Sequence, residues 1–265
     1  MTRIMNRRPI STAALICAAA LASCGGFDKN AVQDITGPLP GGAAIRFFNF
    51  GVNAPGVNFY ADATKMTAIL SATGTESVNG VAYGTAAAGG DYSAVVSGQH
   101  AFTGKIAAAT DKDLAISTVS TTVVDGKYYS YFVSGFYDAT AKTVDGFVVE
   151  DPFVAPTDFT VATVRFVTAI SNSSPMTLYA TNTTTGTEVA IDVAAAYKGA
   201  SAFVALPAGV YDLNTRVTGS ATNVITRTAV SFSGGHVYTI ASRGDITVAS
   251  ASATNRPILD NTPNR

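Results

Sequence analysis

Two kinds of hydrophobic pattern divide the chain. Near its start, Arg3, Arg7 and Arg8 lead into an uncharged apolar run from Ile10 to Ala22. Beyond Gly41 the apolar residues come in short runs rich in Val, Ile, Thr, Phe and Tyr, the residues that suit a pleated, half-buried surface. Alternation places Ile45, Phe47 and Asn49 on one side of a predicted strand and Arg46, Phe48 and Phe50 on the other. Asp125-Gly126, between Ser117–Val124 and Lys127–Tyr137, is a strong hairpin signal. Asp145-Gly146, Pro207-Ala208-Gly209 and Ser233-Gly234-Gly235 divide further pairs of runs. Only Val189 to Lys198, with its alanines, is compatible with a short helix. The pattern predicts an all-β chain of antiparallel β-sandwiches, immunoglobulin- or transthyretin-like in kind.

The β-rich part reads as one unit written twice. Ala44-Ile45-Arg46-Phe47-Phe48 matches Thr163-Val164-Arg165-Phe166-Val167, and Phe59-Tyr60-Ala61 matches Leu178-Tyr179-Ala180, both at a shift of 119 residues. Gly90 and Tyr92 match Gly209 and Tyr211 at that same shift of 119. Asp125-Gly126-Lys127-Tyr128-Tyr129 then aligns with Gly234-Gly235-His236-Val237-Tyr238 at a shift of 109. Four blocks in the same order predict two domains in tandem. Boundaries follow from Pro and Gly punctuation: residues 42–150 form the first sandwich, 160–250 the second and 251–265 a loose tail. Each copy is long enough to bury a core of its own, so a piece spanning residues 155–250 is expected to fold alone.

Composition then limits the chemistry. Seventeen basic and 18 acidic groups give a net charge of −1, which argues against a nucleic-acid partner. Two His, two Cys and no Trp leave little for a metal cluster or a Cys–His nucleophile, and no cofactor is implied. The N-terminal run is about half the length of a membrane-spanning helix and has the layout of a secretory signal peptide, residues 1–23. Its end, Leu21-Ala22-Ser23-Cys24, resembles the bacterial lipobox. That resemblance implies cleavage after Ser23 and attachment of diacylglycerol and a further acyl chain to Cys24. Residues 24–41 read as a flexible tether between the lipid and the first domain. Gly25 following Cys24 resembles the sorting pattern of lipoproteins passed on to the outer membrane, and Arg7-Arg8 admits either general or twin-arginine export. The expected partner is therefore the membrane, through Cys24. Cleavage leaves 14 basic against 18 acidic groups and no free thiol, so stability must come from packed cores.

The tandem copies, each opening with an Arg-bearing apolar strand and then an aliphatic-Tyr strand, resemble the bacterial domain-of-unknown-function family 4397. The carrying residues are Ala44 to Ala61 and Thr163 to Ala180, then Gly90-Asp91-Tyr92 and Gly209-Val210-Tyr211, and finally Gly126 to Tyr129 and Gly235 to Tyr238. The resemblance implies an exported, cell-envelope β-sandwich protein and carries over no catalytic residue.

Candidate chemistry is sparse. There is no Gly-x-Ser-x-Gly elbow and no Ser-x-x-Lys pair, and His100 and His236 both read as turn residues. Asp111-Lys112-Asp113 reads as solvated loop charge, since a calcium loop needs more oxygen ligands. A carboxylate-only glycosidase would have to use Glu76, Glu150 or Glu188. Arg46 and Arg165, equivalent in the two copies, admit three roles: lying outward across the sheet, buried against a carboxylate to fix register, or binding a ligand. Tyr128, Tyr129, Tyr131, Phe132, Phe136 and Tyr137 form an aromatic strand. Half of it should face the core; Tyr128 and Phe132 on the other side are either a ligand face for glycan or peptide, or packing between domains. Two functions follow: a non-enzymatic, lipid-anchored envelope protein with a structural, adhesive or spacer role, or a ligand-binding surface lipoprotein using that aromatic face.

Overall fold

A computed structural model describes residues 41–67 and 77–264. The signal run, the Leu21-Ala22-Ser23-Cys24 motif and Glu76 lie outside the described residues. Among the described residues there is no α-helix, and no helix long and apolar enough to cross a membrane.

The chain is all-β. Its first half contains β1 (Gly42–Asn49), β2 (Val57–Ala61), β3 (Thr64–Lys65), β4 (Thr85–Ala86), β5 (Ser93–Val96), β6 (Gly98–Ile106), β7 (Ala115–Val123), β8 (Tyr128–Asp138) and β9 (Thr143–Glu150). One sheet runs β4-β1-β8-β9, with β5 also on β1, and the other runs β3-β2-β6-β7. The second half contains β10 (Val161–Thr168), β11 (Met176–Asn182), β12 (Glu188–Ala195), β13 (Val204–Pro207), β14 (Gly209–Val217), β15 (Asn223–Phe232), β16 (Val237–Arg243) and β17 (Ile258–Pro263). Its sheets run β13-β10-β16-β17 and β12-β11-β14-β15, the same path as in the first half. Pairing is antiparallel except for one parallel pair per half, β1 with β8 and β10 with β16. In those pairs Arg46 faces Ser130 and Arg165 faces Thr239, as the shifts of 119 and 109 require.

Each half has its own core. Ile45 and Phe47 enter the first with Phe59, Phe102 and Tyr131, and Phe47 stacks on Phe59 at 5.0 Å. Val164 and Phe166 enter the second with Leu178, Leu213 and Ile240. A third cluster joins the halves: Phe48, Phe50, Phe132 and Phe147 pack against Val167, Ala169 and Ala241. Strand β1 is therefore buried on both faces along its whole length. Arg46 reaches Thr239 while Arg243, farther along β16, lies over Phe50, so β1 and β16 run in the same direction.

Four expectations are corrected. Residues 258–263 are no tail: β17 pairs with β16, buries Leu259 and completes the sheet. Its polar residues misled because an edge strand carries an outer row of them, here Asp260 bonded to Arg243. Val189–Lys198 is not helical; β12 places Ile191 and Ala195 inward, and a bulge at Asp192 (φ 57°) breaks its alternation. Asp145-Gly146 lies inside β9, where a Cβ on Gly146 would collide with Ser117 Oγ; the glycine marks close approach rather than a turn. Finally, β14 begins at Gly209 as β6 begins at Gly98, so Gly98 and His100, rather than Gly90 and Tyr92, correspond to Gly209 and Tyr211. The side chains agree: His100 Nε2 bonds the Val96 carbonyl and Tyr211 donates to the Pro207 carbonyl, each four residues back.

Candidate functional site

The fully buried charged side chains among the described residues, Arg46, Asp151 and Arg165, meet between the halves. Strand pairing sets them there. Parallel pairing holds Arg46 beside Ser130 and Arg165 beside Thr239, on the outer faces of β1 and β10. Asp151 follows β9, its N–H donating to the Tyr128 carbonyl.

Nearly every donor in the node has an acceptor. Arg46 Nε donates to Ser130 Oγ at 2.8 Å, Nη2 to Thr239 Oγ1 at 3.0 Å and Nη1 to the Pro263 carbonyl at 3.0 Å. Arg165 Nε donates to Thr239 Oγ1 at 3.0 Å, Nη1 to the Glu150 carbonyl at 2.9 Å and Nη2 to Asp151 Oδ1. Asp151 Oδ2 accepts from Ser130 and from the Tyr92 hydroxyl, both at 2.6 Å, and lies 3.5 Å from Arg46 Nε. Thr239 donates to Asn264 Oδ1 at 2.7 Å, and Asn264 Nδ2 donates to the Tyr92 oxygen at 2.9 Å. Burial pushes the Tyr92 hydroxyl far above its ordinary pKa and pulls the Arg165 guanidinium below its own, with Asp151 opposing the latter.

The two halves contribute equivalent parts. Each arginine bonds the hydroxyl beside it, Ser130 or Thr239, and each reaches across to the last carbonyl of the partner half's edge strand, Pro263 or Glu150. Each guanidinium lies 4.9 Å from an aromatic ring, Arg46 over Tyr92 and Arg165 over Phe203. Asp151 and Asn264 occupy matching places, each donating its N–H to the first residue of the strand after the hairpin, Tyr128 or Val237. The node thus has a pseudo-twofold plan carried by one acid and one amide.

Of the three roles open to Arg46 and Arg165, the geometry selects burial against a carboxylate. The aromatic ligand face is overturned. Phe132 is fully buried, stacked on Phe48 at 4.5 Å and on Phe147 at 5.0 Å, and Tyr128 packs on Tyr92 and Phe153. Val167, Ala169 and Ala241 of the second half pack in the cluster that buries Phe132, while Tyr128 is half-buried. A second bridge between halves joins Asp145 to Lys198 at 2.8 Å, with Tyr197 donating to Asp145 at 3.1 Å.

The remaining candidates lie apart. His100 is a strand residue whose Nδ1 pairs with Asp62, while Asp111 pairs with Lys142 and Asp113 accepts from Tyr60. Glu150 pairs with Lys127 in the first half and Glu188 with Arg216 in the second. Among the described residues no three His, Cys, Asp or Glu side chains come together as a metal site would need. An open cleft of about 590 Å³ lies on the outer sheet of the second half, lined by Tyr179, Val193, Arg216 and residues 217–221.

Residues 162–265 match the family model described as Domain of unknown function (DUF4397). The resemblance read from the second copy is thereby shown over that segment, and the match includes β17. No curated protein matches the chain. Among solved structures, the Bacillus anthracis TIE protein is 14% identical with a TM-score of 0.24, over 76% of this chain and 34% of that one. This chain therefore spans about a third of that protein's length. A provisionally named cell adhesion protein of Bacteroides ovatus is 12% identical with a TM-score of 0.26, over 84% of this chain and 95% of that one. Another, from Bacteroides fragilis, is 8% identical with a TM-score of 0.23, over 83% and 97% of the two chains.

Proposed function

We propose that the chain is a non-enzymatic, lipid-anchored protein of the bacterial cell envelope, with a structural, adhesive or spacer role. The observation that carries this reading is the node: the buried Asp151 pairs with both buried arginines and joins the halves, and none of the three side chains is turned to solvent. A spacer needs two domains to move as one, and a polar lock combined with an apolar interface supplies that. The Leu21-Ala22-Ser23-Cys24 motif supports the anchor, and Gly25 supports the outer membrane as destination. Cys24→Ser is expected to abolish incorporation of radiolabelled palmitate; label still entering that variant would refute the anchor.

A ligand-binding role has one observation in its favour, the cleft beside Tyr179. Arg216 holds that ring at 4.2 Å while its own charge is engaged by Glu188, so the cleft offers a fixed aromatic and hydroxyl surface of the kind that suits neutral sugar. A glycan array whose hits disappear with Tyr179→Ala would favour this reading over the spacer.

A further inference from the structure

We propose that the end of the protein where β1 begins is a bilayer-docking surface, seated on zwitterionic lipid beside the anchor; this rests on the lipidation of Cys24. Because β1 and β16 run in the same direction, and each is parallel-paired within its half, both halves present the same set of loops at that end. Gly42 pairs with Val96, the Gly126 N–H donates to the Gly42 carbonyl, and residues 151–160 depart from beside Tyr128 to re-enter at Val161. The chain arriving from Cys24 enters at this end.

Among the described residues, three of the four most exposed large apolar side chains lie here: Val154 (83%), Phe159 (75%) and Val96 (68%). Val124 in the β7–β8 turn adds a fourth apolar group. The Phe159 ring lies against Gly235, where any Cβ would overlap it, and its carbonyl crosses Gly234 in the same way. An aromatic ring standing out from the surface is the kind of group that enters a lipid interface. Seventeen residues separate Cys24 from Gly42, a reach of at most about 60 Å, so this is the end of the body that the chain from an anchored Cys24 meets first. The contact rests on the apolar side chains and not on basic charge, since the exposed Asp125 and Asp158 are acidic and Lys127 is engaged by Glu150. Basic attraction to anionic lipid is not what this end offers.

The chain has no tryptophan, so single-Trp variants report position cleanly. The mature lipidated protein in phosphatidylcholine vesicles should be compared in four variants, Val154→Trp and Phe159→Trp at this end, Val78→Trp and Leu114→Trp at the far end. Brominated lipid is expected to reduce emission more than about two-fold in the first pair, to leave the second pair unchanged, and to do so equally in high salt. Equal or absent quenching in all four, while the protein still floats with the vesicles, overturns the docking surface. Failure to float indicts the anchor instead; Cys24 coupled to a maleimide lipid then restores the attachment, and the same four readings decide the docking surface.

Discussion

Removing the Asp151 carboxylate tests the node most directly. Asp151→Ala leaves Arg46 and Arg165 buried without a counter-charge and deprives Ser130 and Tyr92 of their acceptor. A unit-charge pair about 4 Å apart at an effective dielectric of 20 is worth about 4 kcal/mol, and two arginines double the gross figure. Relief of the acid's own desolvation cancels part of that. Breaking a buried pair by deleting one partner typically costs about 3–5 kcal/mol, which is the expected loss here. That is a large share of the roughly 5–15 kcal/mol that holds a domain together. The assay is urea unfolding of residues 24–265 carrying Cys24→Ser, followed by far-UV circular dichroism. The charge-conserving swap Asp151→Asn with Asn264→Asp is the informative companion. It moves the acid to the equivalent place beside Thr239 and Pro263, and should recover more than about half of the loss. A cost below about 1 kcal/mol for Asp151→Ala would mean that water reaches the arginines, and the reasoning would fail.

Other expectations follow from the same interface. Phe132→Ala removes the middle ring of the Phe48–Phe132–Phe147 stack and should cost about 3–5 kcal/mol by the same unfolding assay, whereas a surface ligand platform would lose almost none. A fragment of residues 155–250 lacks β17 and Asp151 and should show no cooperative melt, while 151–265, which restores both, should melt in one transition. The Tyr92 and Tyr131 hydroxyls are raised above their ordinary pKa chiefly by burial, so the native state keeps protons that unfolded tyrosine loses near pH 10. Their contribution is complete below that pH, and stability should fall above it by about 1.4 kcal/mol per pH unit for each tyrosine. Tyr131→Phe should remove its share of that slope between pH 9 and 11.5, and an unchanged slope would contradict the burial argument.

How far the fold was legible depended on whether a feature was local. The repeated arginine strand was visible because Arg and the Phe after it recur in the same apolar setting 119 residues apart, but the parallel pairing of β1 with β8 and of β10 with β16 was not, since a repeat shift says nothing about strand direction. The partner of those arginines was invisible. Asp151 sits before Pro152 in what looks like a boundary, and nothing nearby reveals that two outer faces close over it. Gly90-Asp91-Tyr92 imitates the Gly-x-Tyr of the second copy, which hid the fact that His100 stands in for Tyr211. With the register corrected, Tyr92 falls opposite Phe203, and each ring's arginine comes into view. The aromatics of β8 admitted two explanations, exposed platform or packing, because periodicity says which residues share a face and never what covers it.

The pseudo-twofold plan explains why the two halves differ where they do. Two outer faces that each bear an arginine bring like charges together when they pack, so the join needs at least one acid. A carboxylate at both equivalent places would neutralise the pair but would leave the Tyr92 hydroxyl between two acceptors and Asn264's present donation unmade. The amide at 264 accepts from Thr239 and donates to Tyr92, so the hydroxyl can in turn donate to Asp151. On the other side Phe203 offers a ring and no hydroxyl, and Arg165 bonds Asp151 directly. The tyrosine and the amide on one side thus belong with the phenylalanine and the acid on the other: changing one member alone orphans a buried donor or acceptor. Such a network favours one pairing of the halves over any other, which is the property a rigid extension from a membrane would require.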